Sequence, residues 1–314
     1  MVIRDSIRNE AAHLPVSSYL YLSECYEQMS SLKDKYINSL TDFGFKKLFG
    51  SEPNKELLID FLNQVLPERH RIAELTYAKN EQLPANELDR KAIFDLYCQA
   101  TTGERFVVEM QKAKQNFFKD RSVYYASFPI QDQAQQGKWD YRLDPVYTVG
   151  ILDFVFDDHK QEPALLHLVE LKNQRCEVFF DKLKFIYLEL PKFTKSEDQL
   201  ETQLDKWLFV LRHVAKLQDR PQALQDRVFE RLFAAAEIAR FTPAEKEAYE
   251  ESLKYYRDLK NVVDTSWEEG RVEGKAEGLE EGVRQVARQM KAEREPIENI
   301  MRFTGLSRGE IEGL

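Results

Sequence analysis

The sequence predicts an α/β fold with a mixed central sheet flanked by helices and followed by a helical tail. Three observations carry this. Helical hydrophobic periodicity over residues 41–66 gives way to strand-like alternation from 91 to 111. Two nearly continuous apolar runs, 144–156 and 165–173, then follow an intervening helical segment. Beyond residue 197 the patterning is helical again, and it ends in a charged, glycine-punctuated segment.

The elements follow in order. Thr41 or Asp42 is placed to cap a helix by accepting a backbone N–H, and Phe45, Leu48 and Phe49 recur at helical spacing. A second helix is predicted over 56–66, with Leu57, Phe61, Leu62, Val65 and Leu66 as its stripe and Pro67 ending it. Residues 91–100 alternate around Asp95, Thr101–Gly103 reads as a turn, and 104–111 reads as the partner strand of a β-hairpin. A helix is predicted over 117–137, and then two buried strands over 144–156 and 165–173. A further strand is expected over 182–193, and amphipathic helices over 197–218 and 223–240. Helix, helix, hairpin, helix, strand, strand is the order of an α/β domain with a mixed sheet.

This divides the chain into four parts: an N-terminal extension, 1–32; a main domain, 33–242; a helical linker with a Glu-Gly repeat, 243–292; and a small helix-turn-helix-like hairpin, 293–314. Met29 opens a stretch that reads like a natural start, so the residues before it are expected to be an extension rather than part of the native chain. In the linker, glycines at 270, 274, 278 and 282 each follow a glutamate. Glycine inside a helix costs about 1 kcal/mol relative to alanine, so four at this spacing suggest a smooth stripe for close helix approach and self-association. A solvated, frayed helix explains them as well. The terminal hairpin is acidic, which suits packing or oligomerisation better than reading DNA.

Composition bounds the function. The 314 residues are 43% hydrophobic and 32% charged, and the net charge is −9, which argues against a protein that coats nucleic acid nonspecifically. Between Arg105 and Arg142, however, seven cationic residues stand against four acidic ones, and phosphates respond to local charge. No apolar run is long enough to span a membrane, and the first residues carry charge where a signal peptide needs an apolar stretch. Three cysteines, 25, 98 and 176, form no CxxC pair and are expected to be buried thiols in a cytoplasmic protein. The five histidines have neither HxH nor HxxxH spacing, so no zinc site is expected. There is no phosphate-binding GxxxxGK[ST] loop and no GxSxG elbow.

The chemistry-bearing set lies on the hairpin. Glu109 and Gln111 share a strand face because residues i and i+2 point alike, and antiparallel pairing brings Asp95 close to them. Converging carboxylates suit a hard divalent cation such as Mg²⁺, which activates water and polarises phosphate. A polar group at i+2 is suited to orienting the water or the phosphate. Arg121, on the next helix, is suited to binding a backbone phosphate. The acid-x-polar spacing is weak by itself, since solvated strand residues produce it often. Asp157 with Glu170 and Lys172 spells a competing D…ExK. It lies in a segment without basic neighbours, and Glu170 and Lys172 are expected to be strand-end residues or an ion pair.

Taken together, TDFGFKKLFG (41–50), FDLYC around Asp95, VVEMQ (107–111), RSVYYAS (121–127), QGKWDY (136–141) and ELPKF (189–193) resemble the recombination-promoting nuclease and putative transposase family of the PD-(D/E)XK (restriction-endonuclease-like) fold. The resemblance covers about residues 33–240 and the Glu-Gly tail. It implies that Asp95 and Glu109 match the two metal-binding acids and that Asp42 matches the acid of the first helix. Gln111 stands where most of the wider superfamily carries lysine, although not this branch. Gln positions by hydrogen bonds and supplies no charge, so Lys112 or Lys114 is a candidate source of it.

The function so implied is that of a Mg²⁺-dependent DNA endonuclease, with Mn²⁺ as a substitute, promoting recombination in a mobile-element or defence setting. Asp42, Asp95, Glu109 and Gln111 would be its catalytic set, and Lys46, Lys112 and Arg121 its DNA contacts. RNA as substrate is left open by the residues. The alternative is a catalytically weak or inactive nuclease-fold protein acting as an oligomerising DNA-binding or regulatory module, and in either case the tail is expected to mediate homo-oligomerisation.

Overall fold

The computed structural model describes residues 34–67, 71–78, 81–82, 92–134 and 140–314. The expected N-terminal extension, Met29 and Cys25 lie outside the described residues. The chain forms two compact units, residues 1–256 and 257–314.

The first unit opens with helix α1 (Asp42–Phe49) and helix α2 (Lys55–Val65). The Thr41 hydroxyl caps α1 by accepting the Gly44 N–H at 3.0 Å, and it donates to the Asn38 carbonyl. This folded-back entry accounts for glycine at position 44, since a Cβ there would stand 2.1 Å from the Asn38 backbone oxygen. Phe49 of α1 and Phe61 of α2 pack on the buried Trp207, whose indole N–H donates to Asp60 at 2.6 Å.

Strands β1 (Leu75–Tyr77), β4 (Leu96–Ala100), β5 (Arg105–Gln111), β6 (Val146–Leu152), β7 (Leu166–Lys172) and β8 (Val178–Glu189) form one six-stranded sheet, while β2 (Glu81–Gln82) and β3 (Ala92–Ile93) pair separately. The large sheet has the order β1-β4-β5-β6-β8-β7. Its centre, β5-β6-β8, is parallel and its flanks are antiparallel, so the sheet is mixed, as the sequence predicts. Leu96 pairs with Val108 and Tyr97 with Val107, the hairpin that was expected. Helix α3 (Phe118–Gln131) makes the parallel crossover from β5 to β6.

Alternation sorts β5 between two layers. Phe106, Val108 and Met110 join the large core formed with α1, α2, helix α4 (Gln203–His213) and helix α5 (Arg227–Ala236). Val107 packs in a separate cluster with Phe94, Tyr97 and the α3 residues Tyr125 and Phe128. The i, i+2 rule places Glu109 and Gln111 on this second face with Val107.

The structure corrects three expectations. The segment 165–173 is not a buried strand: β7 is the sheet edge, with Leu168, Val169 and Leu171 each more than 40% exposed. Cys98 is buried, but Cys176 is exposed. The main body does not stop at 242. Helix α6 (Pro243–Ala292) begins within the first unit, where Tyr249, Leu253 and Tyr256 enter the core. There the Tyr249 hydroxyl accepts the Asn38 N–H at 2.9 Å and Ser252 accepts the Phe43 N–H at 3.0 Å.

In the second unit the Glu-Gly repeat is helical throughout, and a Cβ at any of its four glycines would meet nothing within 4 Å. Helices α7 (Ile297–Thr304) and α8 (Arg308–Glu312) form the expected hairpin, with Gly305 at φ 74° closing α7. Ile300 and Ile311 pack on Ala287. Among the described residues no helix is long and apolar enough to cross a membrane.

Gly44→Ala is expected to destabilise the protein by more than about 2 kcal/mol, because the clash is with backbone that cannot swing aside. Urea denaturation checks this.

Candidate active site

The hairpin breaks where the acids meet. Asp95 falls between β3 and β4, outside the regular ladder, and its own side chain and that of Glu109 complete the pairing. The Asp95 N–H donates to Glu109 Oε1 at 3.2 Å, and the Met110 N–H donates to Asp95 Oδ2 at 2.7 Å. The two carboxylates are thus pinned side by side by reciprocal backbone bonds. Glu109 and Gln111 are each 8% exposed.

Burial makes the charged forms costly. It pushes the Glu109 carboxyl up to about 8, with the Asp95 charge adding to the rise, while the Asp95 N–H, Arg121 and Lys46 oppose it. The Asp95 carboxyl is raised too, first by burial and then by Asp42, against the Met110 N–H, Lys46 and Lys112. Burial lowers Lys112, although Asp42 and Asp95 hold its charge.

Asp42, in the first turn of α1, forms an i,i+4 ion pair with Lys46 at 2.9 Å. Both line an open cleft of about 840 Å³ with Lys47, Lys112, Glu245 and Tyr255. The Lys112 ammonium lies 5.4 Å from the Tyr255 ring centroid. Asp95 and Glu109 are not among the cleft's lining residues, and they communicate with it through the charges of Asp42, Lys46 and Lys112.

Gln111 is held at both ends of its amide. Nε2 donates to the Ala113 carbonyl at 2.9 Å, and Oε1 accepts from Arg121 Nη2. Arg121 also donates to Gln115 and lies over the rings of Phe118 and Tyr125. Sequence reasoning assigned Arg121 to DNA and missed this bond, which a ten-residue separation across a loop does not advertise.

The expected lysines part company. Lys114 pairs with Asp157 and Lys119 with Asp158, both exposed. Lys112 remains beside the acids. In the competing D…ExK set, Glu170 is bound to the fully buried Lys184 and to Lys172, while Asp157 is held by Lys114 and Lys160. The expected lack of basic neighbours does not hold: each of these acids is paired with cations, and Glu170 with Lys172 forms the ion pair that the sequence suggested.

Residues 39–266 match the family model for the PD-(D/E)XK nuclease family transposase. The chain belongs to that family. No curated protein and no solved structure matches it. Asp95, Glu109 and Gln111, the residues singled out in the sequence, lie within the matched range, and the cation bonded to Gln111 is Arg121.

The chemistry of the donors suits a hard divalent cation: a buried Glu109 and a half-buried Asp95 tied together through the backbone, with Asp42 near enough to raise Asp95. The three carboxylates are not drawn together within 4.8 Å as the ligand atoms of His159, His167 and Glu189 are, so an ion would bind Asp95 and Glu109 first and reach Asp42 through water. Linkage gives the sign of the pH effect. The ordinary Glu109 carboxyl ionises near 4.5 and the folded one near 8. Between those values the folded chain keeps a proton that the unfolded chain has released. Its contribution to metal-free stability is therefore full below the first value and is lost as pH rises through the second. A cation that binds the ionised pair competes with that proton. Mn²⁺ is accordingly expected to raise the Tm more at pH 8 than at pH 6, and Glu109→Gln to remove most of the difference. Equal Mn²⁺ shifts at both pH values in thermal melts would contradict this.

Proposed function

We propose that this protein is a divalent-metal-dependent endonuclease that hydrolyses phosphodiester bonds in DNA. Family membership supports a nuclease- or transposase-like function. The observation that carries the finer reading is the pairing of buried Glu109 with half-buried Asp95, fixed by reciprocal backbone bonds and with both carboxyls raised, so that a cation would favour their ionised forms.

Asp95 and Glu109 would hold Mg²⁺ or Mn²⁺, with Asp42 completing the acidic set through water. The ion supplies Lewis acidity and a nucleophilic water when bound. Gln111, clamped by Ala113 and Arg121, orients the water or the scissile phosphate through its amide. Arg121 stands where its charge reaches Glu109 and takes over the electrostatic part that lysine plays in most of the superfamily. Lys46 and Lys112 flank the cleft and hold the DNA backbone near the acids. DNA breakage of this kind serves recombination in a mobile-element or defence setting, within the cytoplasm.

The second unit is the oligomerising element in this reading. Val272, Leu279 and Val286 recur every seven residues and are exposed at 56%, 72% and 52%. That is the repeat of a helix seam seeking a partner. The four glycines leave open space on the same helix, which suits close approach of a second helix.

In a plasmid-nicking assay with Mg²⁺, Asp95→Ala and Glu109→Ala are each expected to slow cleavage at least about a hundredfold, equivalent to about 2.7 kcal/mol of barrier, and EDTA to abolish it. Cleavage that needs metal but survives both substitutions would overturn the site. Arg121→Gln is expected to lower kcat about ten- to a hundredfold while changing DNA affinity little. A loss confined to affinity would return Arg121 to a DNA-contact role. Leu279→Glu is expected to reduce the mass measured by light scattering, and an unchanged mass would contradict the seam.

A further inference from the structure

A second cluster gathers outside the acid pair. His159, in the turn after β6, and His167, at the start of β7, stack with ring centroids 4.1 Å apart. Both address Glu189, the last residue of β8. His159 Nδ1 lies 3.2 Å from Glu189 Oε1, and His167 Nε2 lies 3.1 Å from Oε2. The Glu189 carboxylate is fully buried, and the two rings keep 17% and 11% of their surface. Gln111, Leu152 and Glu189 are level across β5, β6 and β8. Glu189 therefore stands two strands, about 10 Å of backbone, from Gln111, at the same end of the sheet but apart from the acid pair.

We propose that His159, His167 and Glu189 form a binding site for a transition-metal ion of the Zn²⁺ class. Metal–ligand bonds of about 2.0–2.1 Å put neighbouring ligand atoms of a tetrahedron about 3.3 Å apart, and the two nitrogen–oxygen separations are close to that. The outward nitrogens also have acidic partners. His159 Nε2 faces Asp158 at 4.0 Å, and His167 Nδ1 faces Glu162 at 3.7 Å.

A neutral imidazole has one N–H, yet each ring meets carboxylate oxygen on both sides. A cation on the Glu189 side lets the other nitrogen of each ring carry its N–H toward Asp158 and Glu162, which at 4.0 and 3.7 Å are electrostatic neighbours rather than direct hydrogen-bond partners. Three acids, Asp158, Glu162 and Glu189, surround the rings against two cations, Lys119 on Asp158 and Lys192 on Glu189, each at 2.6 Å. The Phe156 N–H also donates to Glu189 Oε1, at 2.8 Å. Two imidazoles and one carboxylate favour Zn²⁺ and its neighbours over Mg²⁺. The partly open rings leave the fourth position to water. The ion ties the turn after β6, the start of β7 and the end of β8 together.

The test is metal uptake by the full chain, stripped with chelator and titrated with Co²⁺ and then Zn²⁺. With millimolar Mg²⁺ present throughout to occupy the acid pair, the expected result is about one Co²⁺ per chain, with the visible absorption of a four-coordinate ion, displaced by Zn²⁺. Asp95→Ala should take up the ion as well as the wild type, while His159→Gln and His167→Gln should each weaken uptake at least about tenfold. No uptake by the wild type overturns the proposal and makes the cluster a hydrogen-bonded clasp on Glu189. So does uptake lost in Asp95→Ala, uptake unchanged in both histidine variants, or a thiolate charge-transfer band, which would assign the ion to Cys176. Should a histidine variant fail to fold, the stoichiometry and spectrum of wild type and Asp95→Ala decide the question alone.

Discussion

A buried Glu109 and a half-buried Asp95 meet at the point where the hairpin loses its regular ladder, and the site is arranged around that constraint. Side-by-side anions out of water are unfavourable. Here the backbone holds the two groups together, with Asp95 N–H on Glu109 and Met110 N–H on Asp95, and Glu109 answers by keeping its proton up to about 8. The same bonds that stitch the broken strand hold the two acids as neighbours.

The surrounding elements fix that spot from three directions. The sheet supplies register, so that alternation sends Phe106, Val108 and Met110 into the large core and leaves Glu109 and Gln111 on the α3 side. Helix α3 supplies Arg121, whose guanidinium holds the Gln111 amide. Helix α1 supplies Asp42 and Lys46, and its position depends on the tight Asn38–Gly44 entry and on Tyr249 and Ser252 of α6. The start of α6 is thus a working part of the nuclease body, which agrees with a family match that runs to residue 266.

Much of this was legible in the sequence, for identifiable reasons. The TTG turn between alternating strands announced the hairpin, and period-two alternation put Glu109 and Gln111 on one face. Thr41 and the following apolar spacing announced α1. What stayed hidden depends on tertiary placement. The segment 165–173 is apolar enough to read as interior, yet it is an edge strand, because sheet order is not written in local pattern. The body's end was placed at Pro243, where the residue that opens α6 looked like a boundary, whereas Tyr249, Leu253 and Tyr256 pack back on the core. The histidines lack metal-site spacing, and it is the return from the turn after β6 into β7 that stacks two of them, eight residues apart, over Glu189.

The central claim is that Asp95 and Glu109 together hold a divalent cation. Anomalous diffraction from crystals soaked in Mn²⁺ tests it most directly. The account predicts a Mn²⁺ peak within ligand distance of both carboxylates, absent from crystals of Glu109→Gln. Saturating Mn²⁺ with no peak between the two acids would contradict it.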